Sequence, residues 1–210
     1  MSNLKKKYKI VKQTSENIWG NFEKIETFNT KQWKSIVRSL KDKNTKASIF
    51  NRKDNSLKTL YKRRLMNKQK IKSFYGNMSY KILKKYYVII KNKNKKNIMD
   101  NLLVFLETRL DIFLYRIGLF SSIFNIKQAI NHKKIKVNGV IVSYSGYILK
   151  KGDYITYDGQ FINKNLVNMP YSYVNKEKKI IIFLRNPDYK EIKYPFNMNK
   201  KFLFEYLNKK

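Results

Sequence analysis

The sharpest pattern along the chain is a run of apolar positions at three- and four-residue spacing, which is the period of a helix with one buried face. Asp100 or Asn101 is predicted to cap the first turn of this helix, since a short polar side chain can accept a hydrogen bond from a free backbone N–H. Gly118 is predicted to end it, because glycine readily adopts the left-handed turn that follows a last helical residue. The apolar positions of this helix are Leu103, Leu106, Leu110, Phe113, Leu114 and Ile117.

A second, shorter helix is predicted directly after the first. Ser121 or Ser122 would cap its start, and the helical spacing continues to about Asn131. The apolar side of this helix is formed by Ile123, Ile126, Ala129 and Ile130.

Beyond Lys133 and Lys134 the pattern changes from a helical period to alternation. The run Ile135–Val142 contains Asn138-Gly139, a dipeptide that favours a two-residue hairpin turn. A further turn at Lys151–Asp153 leads into the alternating segment Tyr154–Tyr157, and Ile180–Leu184 is also typical of a strand. The two helices are therefore predicted to pack on a small, mostly antiparallel sheet.

The segments that flank this region are more basic. Helical spacing over Leu57–Gly76 and over residues 79–91 predicts two helices, and Pro195 precedes a short helical pattern at Phe196–Leu207. Residues 1–60 are basic with scattered apolar positions, and we expect them to become ordered on a binding partner. The charged stretch Lys91–Asn97 has no period and is predicted to be a loop between domains.

The charge of the chain indicates the nature of its partner. The chain has 47 Lys and Arg residues against 14 Asp and Glu, so its net charge is +33. Charge of this size repels itself in a compact protein, so a polyanionic partner is expected. We predict nucleic acid and no membrane, because the most apolar stretch is interrupted by charged residues every few positions and does not reach the roughly 20 residues of a membrane span.

The residue types that commonly carry enzyme chemistry are scarce. The chain contains no cysteine, and His132 is its only histidine. Thiol catalysis, zinc–thiolate sites and disulfides are therefore excluded, and histidine-dependent triads are nearly so. We predict a protein that is not an enzyme and that has no cofactor, no metal and no small-molecule substrate.

Basic side chains are predicted to meet where the two central helices join the sheet. Arg109 and Arg116 are seven residues apart, about two helical turns, so both are predicted to emerge on one face of the first helix, roughly 10 Å from each other. The second helix and the turns after it add Lys127, Asn131, Lys133, Lys134, Lys136 and Asn138. Such a corner suits RNA phosphates. The alternative is that basic residues in so lysine-rich a chain fall on any exposed face by chance.

Three segments of this region carry a resemblance to a known family. Leu106–Gly118, Ile126–Val142 and Gly146–Ile155 read LETRLDIFLYRIG, IKQAINHKKIKVNGVIV and GYILKKGDYI. They resemble the RNA-binding module of the small-subunit ribosomal protein four family, with its Leu-Glu-x-Arg-Leu-Asp helix and Val-Asn-Gly turn. Lys68–Ser79 and Tyr194–Leu207 are similar to further segments of the same family, so the resemblance extends over nearly the whole chain.

The resemblance implies a function and a set of contacts. The family binds the 5′ domain of small-subunit ribosomal RNA early in assembly and lies beside other small-subunit proteins, near where messenger RNA enters and is decoded. By this resemblance the expected RNA contacts also include Ser122, Gln128 and His132 in the module, and Lys68, Lys70, Lys72 and Tyr75 before it. The family usually has an arginine where this chain has Ile123, so one phosphate contact is expected to be lost there.

Other functions are compatible with parts of the pattern. Pseudouridine synthases carry a similar Arg-Leu-Asp triplet with a catalytic aspartate, here Asp111, and often the same module. Their triplet lies in a larger catalytic domain, so in this chain we predict a structural Asp111 that pairs with a basic neighbour or a backbone donor. A ribosome-rescue factor with the same module is a second alternative, which the matches outside the module disfavour.

The sequence therefore predicts an α+β protein in three parts. Residues 1–98 form a basic tail and a helical domain, residues 99–170 form the RNA-binding module, and residues 171–210 form an extension that packs back on the helical domain. The resemblance favours a mitochondrial ribosome, with a plastid or an AT-rich bacterial cytoplasm as alternatives.

Overall fold

The computed structural model describes residues 18–19, 60–93, 96–120, 122–159 and 167–208. These residues divide into two compact units. The first unit comprises the described parts of Met1–Lys84 and Tyr194–Lys210, and the second unit comprises those of Lys85–Lys193. The expectation that residues 1–60 order on a partner lies almost wholly outside the described residues.

The described residues form helices and strands with the following bounds. The helices are α1 (Leu60–Phe74), α2 (Tyr80–Lys93), α3 (Ile98–Glu107), α4 (Leu110–Ile117), α5 (Ile123–Asn131) and α6 (Lys200–Asn208), with a short 3-10 helix at Tyr189–Glu191. The strands are β1 (Ile135–Val137), β2 (Val140–Ile141), β3 (Tyr154–Tyr157), β4 (Ser172–Asn175) and β5 (Ile180–Phe183). None of the helices in the described ranges is long and apolar enough to cross a membrane.

The five strands form one sheet in the order β2-β1-β3-β5-β4, and every neighbouring pair is antiparallel. One face of this sheet is buried, because α4 and α5 lay their apolar sides against it. Phe113 of α4 meets Phe183 of β5 edge to face at 5.1 Å between ring centroids, and Phe120 meets Tyr157 at 5.5 Å. The predicted α+β class, with two helices packed on a small antiparallel sheet, is confirmed.

The long helix predicted up to Gly118 is wrong in one respect, since it is two helices. Arg109 has extended backbone angles, φ −72° and ψ 139°, and forms a bridge with Ile148. Leu110 N donates to Tyr147 O at 2.8 Å, and Leu149 N donates to Thr108 O at 3.0 Å. The chain leaves the helix here because a distant segment supplies the hydrogen bonds. The predicted cap at Asp100 or Asn101 is also wrong, because Asn97 takes that position.

Several local predictions are confirmed. Ser122 caps α5 by accepting a hydrogen bond from Phe124 N at 3.3 Å. Gly118 ends α4 with φ 83°. Asn138 and Gly139 have φ values of 52° and 79°, as expected for both central residues of the predicted hairpin turn.

The first unit is built around α1 and α6. Asn67 exchanges two hydrogen bonds with the backbone of Asn199, at 2.7 Å and 3.1 Å, and Arg64 pairs with Glu205. The ring of Phe74 meets those of Tyr194 and Phe196 edge to face. Helix α6 begins at Lys200 and not at Phe196, whose side chain is buried in this aromatic cluster.

The division between the units differs from the predicted boundary at residues 170 and 171. Strands β4 and β5 complete the sheet, because β5 pairs with β3 through Tyr154–Thr156 and so belongs with the second unit. The first unit takes up the chain again at Tyr194.

Candidate nucleic-acid interface

Five of the predicted RNA contacts lie together and exposed at the end of α5. The backbone of this turn is fixed, since Lys133 N donates to Ile130 O at 2.9 Å and Lys134 N donates to Ala129 O at 3.1 Å. Lys133 is in the left-handed conformation, with φ 59°. The exposed side chains are those of Gln128, Asn131, His132, Lys133 and Lys134, which we call the α5 corner. A rigid turn that presents charged and amide groups to solvent is suited to binding an RNA backbone.

Lys136 and Asn138, which were also predicted contacts, are partly engaged within the protein. Lys136 Nζ lies 2.8 Å from Asp158 Oδ2, and both side chains are partly exposed. Asn138 donates from its amide to Asp153 Oδ1 at 2.9 Å and accepts from Tyr154 N at 3.1 Å. The amide of Asn138 therefore fixes the hairpin turn to β3.

Arg109 was predicted to face RNA phosphates, and the structure corrects this prediction. Its side chain is buried, with Nε 3.1 Å from Asp111 Oδ1 and Nη2 2.8 Å from Asp111 Oδ2. Burial alone would lower the pKa of Arg109, but the Asp111 carboxylate outweighs it and raises that pKa above its ordinary value. The extended backbone at Arg109 turns the side chain inward, where a continuous helix would have presented it to solvent. Asp111 is paired with a basic neighbour, one of the two kinds of partner predicted for it.

Arg116, a second predicted contact, is partly exposed and also has partners within the protein. Its guanidinium forms two hydrogen bonds of 2.9 Å to the carboxylate of Glu107, which is buried, and a third of 2.5 Å to the carbonyl of Lys193. Glu107 lies in the last turn of α3, and the break after this helix brings it beside α4. Arg116 thus joins α3, α4 and the end of the second unit.

Lys127 lies between the α5 corner and the buried ion pair. Its Nζ is 3.7 Å from Asp111 Oδ2, and the side chain is mostly buried. Burial lowers the pKa of Lys127, and attraction to Asp111 offsets only part of this change. Lys127 therefore belongs to the internal group of charges that Arg109 and Asp111 form. Ser122, the remaining residue of this region, uses its hydroxyl oxygen in the helix cap.

The predicted contacts in the first unit are turned largely toward the protein. Tyr75 is fully buried, and its hydroxyl lies 2.7 Å from that of Tyr194, so the predicted RNA contact at Tyr75 is contradicted. Lys68 donates to the Tyr206 hydroxyl at 2.5 Å and lies over the rings of Tyr206 and Tyr80. Lys70 reaches the carbonyl of Asn197 at 3.4 Å, and Lys72 is partly exposed in the last turn of α1.

Tyr171 is a buried polar residue that the sequence pattern did not single out. Burial, together with the nearby Glu107 carboxylate, raises the pKa of Tyr171 from 10.0 to about 12. Because the folded state holds this proton more tightly, the stabilisation is present below pH 10 and is lost as the pH rises toward 12.

We therefore expect the stability of the wild-type protein to fall more steeply with pH than that of Tyr171→Phe. The difference between their unfolding free energies should change by about 1.3 kcal/mol between roughly pH 9 and pH 11. Urea unfolding at a series of pH values measures this change. Parallel pH profiles would show that Tyr171 ionises as easily in the folded state as in the unfolded chain.

Comparison with known proteins agrees with this geometry. Residues 108–155, which include α4, α5, the hairpin and the first half of β3, match the family model of the S4 domain. Within the described residues no group of His, Asp and Glu side chains is placed to hold a metal ion. The fold and the exposed corner thus define a protein that carries an S4 domain.

Relatives over the full length identify the family. The chain is 30% identical to small ribosomal subunit protein uS4m of Reclinomonas americana, over 94% of this chain and 96% of the relative. It is 31% identical to small ribosomal subunit protein uS4 of Orientia tsutsugamushi, over 92% of each chain. A 79-residue part is 44% identical to uS4 of Rhodospirillum rubrum. The chain belongs to the uS4 family of small ribosomal subunit proteins, and the predicted resemblance is confirmed.

Proposed function

We propose that this protein is a structural component of a small ribosomal subunit and binds its ribosomal RNA through the α5 corner. The observation that carries the proposal is the exposed, backbone-fixed group of Asn131, His132, Lys133 and Lys134 within the matched S4 domain. The net charge of +33 supports a partner with many phosphates. Relatives named as small ribosomal subunit proteins over nearly the whole chain support the assembly.

The finer proposal concerns the place of binding. By family membership the RNA is the 5′ domain of the small-subunit ribosomal RNA, and binding there helps to nucleate assembly beside neighbouring ribosomal proteins. We place the protein in a mitochondrial ribosome, since a mitochondrial relative is among those that align over nearly the full length. Sedimentation of the tagged protein with mitochondrial small subunits tests this. Sedimentation with plastid or cytoplasmic subunits would contradict it.

We further propose that the protein has no catalytic role. The aspartate of Arg109-Leu110-Asp111 is fully buried and is engaged by Arg109, with Lys127 close by. A carboxylate in this position cannot reach a nucleotide without breaking the ion pair. An assay for uridine isomerisation on the bound RNA should show no product, and product formation lost in Asp111→Asn would overturn this part.

The α5 corner is tested by a pair of double variants that remove equal charge. Lys133→Ala with Lys134→Ala removes two exposed cations from the corner, and Lys81→Ala with Lys85→Ala removes two exposed cations from α2. Filter binding to the 5′ domain of the cognate RNA is expected to show at least about tenfold greater loss for the corner variant, roughly 1.4 kcal/mol. Equal losses would show that bulk charge, and not the corner, provides the affinity.

A further inference from the structure

The outward face of the sheet, opposite α4 and α5, carries a row of aromatic and aliphatic side chains. The strand register pairs Tyr154 of β3 with Ile182 of β5, and Ile182 with Tyr173 of β4. Tyr154 is 41% exposed and Tyr173 is 50% exposed, while Ile182 between them is partly buried. The two tyrosines stand two strand spacings apart, about 10 Å. We call these three residues the sheet platform.

The hairpin turn lies beside the side chain of Tyr154. A Cβ added at Gly139 in the hairpin turn would make ordinary van der Waals contact with this tyrosine, 3.5 Å from its hydroxyl oxygen. Glycine contributes no side chain that would cover the ring, and its φ of 79° disfavours replacement by other residues. Beside this turn the side chain of Tyr154 stays 41% exposed.

Basic groups flank the sheet platform on two sides. Exposed Lys150 and Lys151 lie in the turn that leads into β3, and Gly152 N of this turn donates to Phe183 O at 2.8 Å, which places the turn at the end of β5. At the opposite end of the strands, Lys178 and Lys179 are exposed in the β4–β5 turn. Two acidic side chains, Glu177 in that turn and Asp158 paired with Lys136, also lie at this end.

We infer that the sheet platform is a second RNA-binding surface, which takes unpaired nucleotides by stacking bases on Tyr154 and Tyr173. Proteins that bind single strands combine aromatic rings with a positively charged border, because each base offers a face for stacking and each linkage offers a phosphate. A protein partner packed on this face would instead have to desolvate the lysines at its border. The inference rests on the proposed function only in taking RNA as the partner, since the sheet platform lies outside the α5 corner.

Two double variants separate stacking from apolar contact. Tyr154→Phe with Tyr173→Phe keeps both rings, whereas Tyr154→Leu with Tyr173→Leu keeps apolar bulk and removes them. Tyr61→Leu is the matched control, because Tyr61 is 63% exposed and lies on α1. The probe is an oligoadenylate of about ten nucleotides, titrated into the full chain at moderately high salt so that bulk charge contributes less.

The Leu double variant is expected to bind the oligoadenylate at least about tenfold more weakly than wild type, while the Phe variant and Tyr61→Leu stay within about twofold. Unchanged melting temperatures show that the variants are folded. Equal binding by the Leu variant and wild type would overturn the inference, and so would equal loss in the Phe variant, which keeps the stacking faces. Crosslinking of a 4-thiouridine oligonucleotide locates the bound RNA on the protein. Crosslinks are expected in the peptides that contain Tyr154 or Tyr173. Crosslinks confined to other peptides would contradict the inference.

The outcome for the sheet platform can be told apart from that for the α5 corner. On the same preparations, the Lys133→Ala and Lys134→Ala variant is expected to lose affinity for the folded 5′ domain. Its binding of the oligoadenylate is expected to weaken by no more than about threefold relative to wild type. Failure of the proposed function would appear as 5′-domain binding that is indifferent to the corner. Failure of the present inference would appear as oligoadenylate binding that is indifferent to the two rings.

Discussion

Affinity of the full chain for small-subunit ribosomal RNA is expected to fall by about 10³–10⁵ when salt is raised from roughly 50 to 200 mM. The net charge of +33 cannot be balanced by a few contacts, and each neutralised phosphate releases counterions whose gain in entropy shrinks as salt increases. The stated range corresponds to about 6–10 phosphate contacts, taking duplex DNA as the reference. Filter binding of the 5′ domain at several salt concentrations measures the slope.

The same titration on the α5 corner variant provides the control for this first prediction. Loss of Lys133 and Lys134 should make the slope of log affinity against log salt shallower by roughly two, since each lysine accounts for about one phosphate. An affinity that hardly changes with salt would contradict binding through phosphates. A wild-type slope in the corner variant would place the phosphate contacts elsewhere on the chain.

Replacement of Arg109 by Ala is expected to destabilise the second unit by about 3–5 kcal/mol, because it leaves the carboxylate of Asp111 buried without its two closest hydrogen-bond donors. Asp111 is fully buried, and Lys127 lies 3.7 Å from it, too far for a strong hydrogen bond. Urea unfolding of the variant against wild type measures the loss. The melting temperature should fall in parallel.

A compensated variant shows whether the ion pair or the packing is responsible. Arg109→Met combined with Asp111→Leu removes both charges and keeps apolar bulk, and it should recover most of the stability lost in Arg109→Ala. If Arg109→Ala were instead as stable as wild type and bound ribosomal RNA poorly, Arg109 would be the phosphate contact that helical spacing alone predicted.

Local patterns were enough to predict the parts of the fold that depend on neighbouring residues. Helix α5 and its serine cap, the Asn138-Gly139 hairpin and strand β3 follow from short-range periods and turn chemistry, and the structure has them at the predicted positions. The break between α3 and α4 could not be read in this way. It depends on hydrogen bonds to Tyr147 and Leu149, which lie 37 and 41 residues further along the chain than their partners Leu110 and Thr108. Strand β4 was missed for a similar reason, because four residues show little alternation and β5 supplies the pairing.

The exposed residues of the candidate site could be predicted where side-chain exposure follows from the local backbone. They could not be predicted where a side chain is buried by an ion-pair partner within the protein. The turn at Lys133 and Lys134 follows a helix end, so its side chains are exposed whatever else the chain does. Arg109 and Arg116 have the same helical spacing that an RNA-facing pair would have. Their partners are Asp111 and Glu107, at separations of two and nine residues, which are not neighbours on a continuous helix. Only the break in the helix brings these charges together.

The amide of Asn138 has a consequence for the order in which the second unit assembles. A two-stranded hairpin alone is marginally stable in water, and Asn138 must also adopt a left-handed backbone conformation that costs free energy. Its two compensating hydrogen bonds go to Asp153 and to the backbone of Tyr154, so they form only when β3 is already alongside. The hairpin and β3 therefore gain their stability in one cooperative step and open together as a single folding unit. A nascent chain that ends before Asp153 carries the corner lysines without the strand that fixes the adjoining turn.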